Sequence, residues 1–530
     1  MPFTLSNVKS YCQVLLLFTF QRTQGQLKFP TQSLLVYNST PAESTDHPLR
    51  MTRQQTLTLI SMASVNFSSM ICYSILAPFF PNEAVKKGAS QTVIGLIFGC
   101  YAVCYFISSL IMGKYIVQIG AKFMLVMGLF VSSGCTILFG LLNRVPAGPI
   151  FITLCFVVRS IDALGFAAAM TSSFAITVKI FPNNVATVLG SLEIFAGLGL
   201  ILGPPVGGWF YQSFGYEVPF MLLGCFLLIM VLFNIYVLPN IDSDSSKDSF
   251  FRLLTNVKVI LICYVIFTQS AGLGFVDVSL SLFAMERFNL SSGYVGLIML
   301  GLSLPYCLAS PVIGYFTDKY PSTRSWFMVI GGVAIAIAFA MLDPVPFLHI
   351  PSNLWLLIIM LGVIGFSLGM TVIPAFSEIL TCANEQGYEE GLSTLGMVSG
   401  LYEAFWSIGM FYGPIVGGLI TQHLSFEWAA AVQGGLALLG VSISLCSVHV
   451  RKGHTKLSLA GILALSSGQY DDIVKMLLVF RIYFFIPMLK NQQPNSVTAT
   501  FMSFGQSFML SLHIMLILHS VLSAFHLASI

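Results

Sequence analysis

Apolar runs of about 20 residues follow one another along most of this chain, each long enough to cross a hydrocarbon core about 30 Å thick as a helix. Charge is scarce: charged residues make up 8% of the 530 positions and hydrophobic ones 56%, where a soluble domain carries roughly 25% charged. So little charge cannot cover a soluble fold, and the short alternating strands of a membrane barrel are not seen. The sequence reads as an all-α polytopic membrane protein.

A formal net charge of +3 over this length, with no run rich in lysine or arginine, argues against nucleic acid as a partner. The 11 cysteines, Cys100 and Cys104 among them, lie mostly inside apolar runs with neither a paired framework nor metal spacing, and read as small buried helix residues. No nucleophile stands with its base and no phosphate loop is visible, so neither catalysis, a cofactor nor a metal site is expected.

Hydropathy places spans at 55–80, 92–113, 122–142, 149–178, 185–211 and 218–238, then at 257–285, 292–316, 325–343, 352–376, 393–422 and 427–450. A polar linker, 239–256, divides them. Six plus six about a charged linker is the layout of a two-lobed carrier, with lobes at 55–238 and 257–450. Residues 1–54 are expected to form a disordered cytosolic extension; the alternative is a signal peptide cored on Val14–Phe20, which lacks a small-residue cleavage site. Residues 451–530 form an atypical tail whose apolar stretches, Met476–Leu489 and Phe501–Ile530, can touch the membrane.

The halves repeat one another. Gly95-Leu96-Ile97 precedes Gly113 as Gly296-Leu297-Ile298 precedes Gly314, and Gly203–Gly208 (GPPVGG) is answered by Gly413–Gly418 (GPIVGG). A carboxylate stands eleven residues before the first proline of each, Glu193 before Pro204 and Glu403 before Pro414. Several matches in one order indicate an internal duplication. In the short loops, Lys114, Lys122, Lys179, Lys247, Arg252, Lys258, Lys319 and Arg324 fall on one side, and Lys86, Lys87, Arg144 and Arg287 on the other. The positive-inside rule makes the first side cytosolic, with both lobes starting there.

The loop after the second span of the second half contains Gly314, Asp318, Lys319 and Arg324, and resembles the G-x-x-x-D-[RK]-x-x-x-x-[RK] signature of the major facilitator superfamily. Glycine lets helices approach while the acid pairs with basic groups or a neighbouring helix end, so this loop is expected to be a cytosolic gate; a solvated positive-inside loop is the alternative. The first-half copy, Gly113 to Lys122, has Val117 where the acid would be. Gly199, Gly203 and Gly207, with Pro204, form one stripe of the fifth span, continued by Gly208. Gly409, Gly413 and Gly417, with Pro414 and then Gly418, do the same in the eleventh. These stripes resemble the glycine–proline motif of antiporter branches of the superfamily; close packing in a uniporter is the alternative.

Intramembrane charges mark pathways by default. Arg159 and Asp162 share a face of the fourth span and can pair, in a segment similar to the R-x-x-q-G-x-g motif of proton-coupled carriers. The pair is either structural or cargo-facing. Glu193, Asp277 and Glu403 are further carboxylates inside apolar runs, suited to exchanging a proton for a cation. Asn66, Ser69 and Tyr73 fall on one stripe of the first span, expected to line a wet cavity. Glu378 and the acids Glu385, Glu389 and Glu390 read as lying near or in the loop after the tenth span.

Over about 400 residues the twelve spans resemble the vesicular amine transporter family of the major facilitator superfamily. The stretches Phe181–Glu193, Gly203–Gly208 and Tyr211–Phe220 are worded most like its polyamine-carrying branch. The resemblance implies loading of spermine and spermidine into secretory vesicles, driven by the proton gradient of a vacuolar-type pump. It makes Asp277 the family's acid in the seventh helix and Glu403 its acid in the eleventh. The helix 1 aspartate of monoamine carriers falls on Ser69, and their helix 10 aspartate has no counterpart near Val372. The rival readings are a proton-coupled or facilitative carrier of another organic cation, and a non-transporting membrane sensor or scaffold on a carrier fold.

Overall fold

A backbone that crosses lipid must satisfy its own hydrogen bonds, so the apolar runs fold as helices. The computed structural model describes residues 51–452 except 77–79, 240–249, 255, 291, 345–350 and 390. Most of the expected amino-terminal extension, most of the linker and nearly all of the carboxyl-terminal tail lie outside the described residues.

Among the described residues twelve long helices follow in order: α1 Arg53–Ser74, α2 Gln91–Ile119, α3 Ala121–Leu141, α4 Pro149–Ile180, α5 Val185–Phe214 and α6 Glu217–Val237, then α7 Val257–Phe288, α8 Ser292–Lys319, α9 Arg324–Leu342, α10 Leu354–Glu385, α11 Leu392–His423 and α12 Phe426–Lys452. Eleven are long and apolar enough to cross a membrane; in α12 the apolar part is Phe426–Val441. Short helices at Phe80–Lys86 and Phe250–Leu254 sit between them. Among the described residues, those up to Leu57 and those from Thr58 onward fall into separate units. In the first, Thr52 and Gln55 form a reciprocal cap: Gln55 N donates to Thr52 Oγ1 at 3.2 Å and Thr52 N to Gln55 Oε1 at 3.0 Å, satisfying two amides that a helix start leaves open.

Several helices outrun the hydropathy spans. Helix α2 passes Gly113 and stops at Gly120, whose φ of 89° breaks the helical path. Helix α10 continues to Glu385, so Glu378, read as loop-proximal, is buried inside it. Polar last turns continue a helix after the apolar run ends because backbone bonding does not depend on lipid.

In the first lobe α3 packs on α4 and α6, and α2 on α4; in the second, α9 packs on α10 and α12, α8 on α10, and α7 on α11 and α12. The glycine stripes close a helix pair within each lobe. Gly199 lies against the Phe67 carbonyl and Gly203 against Ser74 of α1. Gly409 lies against Ser270 and Phe267 of α7, and Gly413 and Gly417 against Ala271 and Phe275 of the same helix. Gly207 is buried on its stripe. Gly208 and Gly418 meet nothing. Pro204 and Pro414 sit inside their helices, and Pro414 Cδ approaches Gly274 of α7.

The lobes meet along α2 with α11 and α5 with α8, and α4 also reaches α11. The first two interfaces repeat each other level by level. Gly314 packs on the Ala186 carbonyl and Gly113 on that of Gly396; Gly190 packs on Ser310 and Gly400 on Ser109. Position 314 answers 113 and 310 answers 109 at one offset, while 396 answers 186 and 400 answers 190 at another. The internal duplication is thus expressed as an approximate two-fold between the lobes.

Candidate transport site

Helix α5 starts at Asn184, which makes no side-chain cap. Asp318, at the end of α8 in the other lobe, caps it instead. Its Oδ1 accepts from Ala186 N at 3.1 Å, and its Oδ2 accepts from Thr187 N and Thr187 Oγ1, both at 2.7 Å. A carboxylate on the open amides of a helix amino end is favoured by hydrogen bonding and by the helix dipole. Arg324 NH2 stands 3.7 Å from Asp318 Oδ1, and its Nε and NH1 donate to Thr317 O and Thr381 Oγ1, tying α8 to α10. Lys319 is exposed beside Tyr315 and Tyr320 and is not brought to this contact. Gly314, Asp318 and Arg324 therefore join the lobes at the end richest in basic loops.

The first-half counterpart of Asp318 is Val117. Helix α11 begins at Leu392, a turn ahead of Gly396, the counterpart of Ala186, and Leu395 N already donates to Gly391 O. An acid at position 117 would face amides that are already bonded, which gives its absence a physical reason.

Deeper in the interface, Tyr105 of α2 donates to Glu403 Oε2 of α11 at 2.5 Å, and Tyr306 of α8 stands beside Glu193 of α5, one turn from the contact of Ser310 with Gly190. Glu403 is buried and Glu193 half-buried. They are near enough to repel electrostatically, and Tyr402 neighbours both. Among the described residues no ion pair reaches either carboxylate. Sequence reasoning singled out both glutamates and missed both tyrosines, although each lies ten residues after the first glycine of its Gly-Leu-Ile repeat.

Asp277 is exposed on α7 with no hydrogen-bond partner among the described residues. Tyr73 of α1 is exposed within electrostatic reach of it and packs with Tyr101 and Phe166. The other two members of the expected cavity stripe are buried in packing instead. Asn66 Nδ2 donates to Met62 O at 2.9 Å and Ser173 Oγ at 3.5 Å, and Ser69 is 4% exposed. Small polar side chains in a helix satisfy themselves on neighbouring carbonyls and so pack as readily as apolar ones.

Arg159 and Asp162 do pair, NH1 to Oδ2 at 3.1 Å, and Ser132 Oγ donates to Asp162 Oδ1 at 2.6 Å. The guanidinium lies 4.4 Å from the Tyr101 ring centre, with Phe98 and Phe139 on other sides. These partners all belong to the first lobe, where aromatic faces and an acid offset the cost of burying the cation. Among the described residues no group of three potential metal ligands comes together.

The family model described as the Major Facilitator Superfamily matches residues 62–387 and 260–529. The MFS-type transporter SLC18B1 of Homo sapiens is 59% identical over 396 residues, covering 74% of this chain and 87% of that protein; its Mus musculus counterpart is 56% identical over 399 residues, covering 75% and 87%. The vesicular acetylcholine transporter of Drosophila melanogaster is 24% identical over 346 residues, covering 63% and 57%. Among solved structures, the human organic anion transporter MFSD10 (TETRAN) superposes with a TM-score of 0.61 at 14% identity, covering 74% of this chain and 99% of that one. That last likeness is one of fold.

Proposed function

We propose that this chain, which belongs to the major facilitator superfamily, loads polyamines such as spermine and spermidine from the cytosol into secretory vesicles in exchange for lumenal protons. The observation that carries the reading is the pair of acids at the interface of the lobes, Glu193 and Glu403, which like the exposed Asp277 on α7 have no cationic partner among the described residues. An acid held away from water needs either a proton or a positive partner, and an exchanger alternates the two. The contact of Gly314, Asp318 and Arg324 is the cytosolic gate, shut in this conformation. The glycine–proline helices α5 and α11 both pack within a lobe and bear on the opposite one, which suits elements that rock during alternating access. The resemblance to the polyamine-carrying branch supports the cargo, and the vesicular acetylcholine relative supports the vesicle.

The test is uptake of labelled spermine into proteoliposomes that are acid inside. Accumulation that collapses on adding a proton ionophore is expected. Uptake unchanged by the ionophore means facilitation. Acetylcholine or a monoamine taken up in place of spermine means a carrier of another organic cation, and no uptake of any amine favours a sensor or scaffold.

A further inference from the structure

The hydrogen bond from Tyr105 to Glu403 has a repeat-related counterpart in the placement of Tyr306 beside Glu193. Tyr306 follows Tyr105 by 201 residues, as Gly296 follows Gly95; Glu403 follows Glu193 by 210, as Pro414 follows Pro204. Each repeat therefore supplies one tyrosine and one glutamate. Each pair crosses between the lobes, Tyr105 donating to Glu403 and Tyr306 standing beside Glu193. They stand next to the paired backbone contacts Ser109 with Gly400 and Ser310 with Gly190, so the exchange of lobes continues through successive levels of the same interface.

A phenol that donates to a carboxylate fixes where the oxygens point but neutralises no charge. Two such carboxylates, each anchored by the opposite lobe and repelling one another, are balanced by two positive centres and left half-compensated by one. We propose that Tyr105 and Tyr306 are a repeat-related pair of positioning residues that set Glu193 and Glu403 to receive cargo with two ammonium groups, one group per glutamate. This rests on the polyamine-exchange reading above and assigns its preference for multiply charged cargo. Each tyrosine ties its glutamate to the far lobe, so separating the lobes along either interface releases the glutamate that received the amine.

The test compares Tyr105→Phe, Tyr306→Phe and the wild type in proteoliposomes, with putrescine and butylamine as cargos of equal carbon chain and unequal charge. In detergent, the rise in melting temperature given by each amine reports binding without transport. Each Phe variant is expected to raise KM for putrescine about tenfold, the loss of one hydrogen bond to a charged group. The maximal rate should be largely kept, butylamine little affected, and the two variants alike because the repeat makes them equivalent. Wild-type preference for putrescine in both variants overturns the proposal, as does an effect confined to one variant. An equal loss for both amines overturns it too, since it marks general damage to packing. A wild-type protein that neither transports nor is stabilised by any amine defeats the polyamine reading itself, and this inference with it.

Discussion

Asp343, at the carboxyl end of α9, is 2% exposed and accepts from Ser352 Oγ at 2.5 Å. Burial pushes its pKa above 3.8; Glu427 of α12 pushes it further, while Ser352 and Arg287 pull it back. An acid with a raised folded pKa makes the native state hold more protons than the unfolded one, so stability falls as pH rises from the unfolded value through the folded value. Melting of the purified wild type should therefore decline over that window, and Asp343→Asn should melt higher than wild type above it with a flatter pH profile. Glu83 works in the opposite sense. The hydrogen bond from Lys86, and then that from Tyr211, hold its pKa below 4.5, so its contribution is present above that value and is lost as pH falls through the folded one. If Asp343→Asn melts with the wild-type pH dependence, Asp343 is not the group responsible. The partnerships of Asp343 were not legible in the sequence, because Asp343, Ser352 and Glu427 come from different segments and only folding brings them together.

At the scale of elements, hydropathy placed the long helices of the described residues, and the repeat pointed to an internal duplication. What it missed was where a polar group ends up. Asp318 stood out in the sequence by its motif, but its partner is the amino end of a helix in the other lobe, a tertiary fact without local signal. Asp318→Ala removes that cap and should weaken closure of the basic end by about 1 kcal/mol, roughly fivefold in the ratio of closed to open. Asp318→Asn, which keeps a cap oxygen, should do less. Spin-label distances between α5 and α8 across that end measure the ratio, and equal distances in wild type and Asp318→Ala refute the role. The glycines divide in the same way. A Cβ at Gly314 would meet the backbone of Ala186 and stand 2.8 Å from Thr187 Cα, whereas one at Gly208 would meet nothing within 4 Å. Backbone cannot step aside as a flexible side chain can, so Gly314→Ala should hold the basic end open and slow turnover at least tenfold, while Gly208→Ala should transport normally. The same motif wording therefore covers positions under very different constraint, and only the packing separates them.

At the scale of the whole molecule, Glu193 and Glu403 lie at the interface of two lobes that repeat one another, and the Arg159–Asp162 ion pair lies inside one of them. The sequence let Arg159 pair with Asp162 but left open whether that pair is structural or faces cargo, and it marked Glu193, Asp277 and Glu403 only as costly, because position in an apolar run does not say which lobe compensates a charge. The structure separates them: Arg159–Asp162 is compensated within the first lobe, whereas Glu193 and Glu403 are held across the interface and Asp277 stands exposed. This distinction sets the last prediction. Each net positive charge moved into a vesicle with a positive interior costs about 2.3 kcal/mol per 100 mV, and the cargo's lost hydration must be offset by negative partners on its path. In the exchange proposed above, fixed acids on the path would do both, pairing with the cation on the way in and carrying protons on the way out. Asp277→Asn and Glu193→Gln, each nearly isosteric and each removing one ionisable group, should therefore abolish gradient-driven polyamine uptake while leaving the protein folded and correctly sorted. Asp162→Asn should lower uptake less and melting temperature more, since its partner Arg159 would be left buried without its counter-charge. Uptake by reconstituted protein under an acid-inside gradient, read beside melting curves of the same preparations, decides the matter; wild-type rates in both Asp277→Asn and Glu193→Gln would place the proton and cargo site elsewhere.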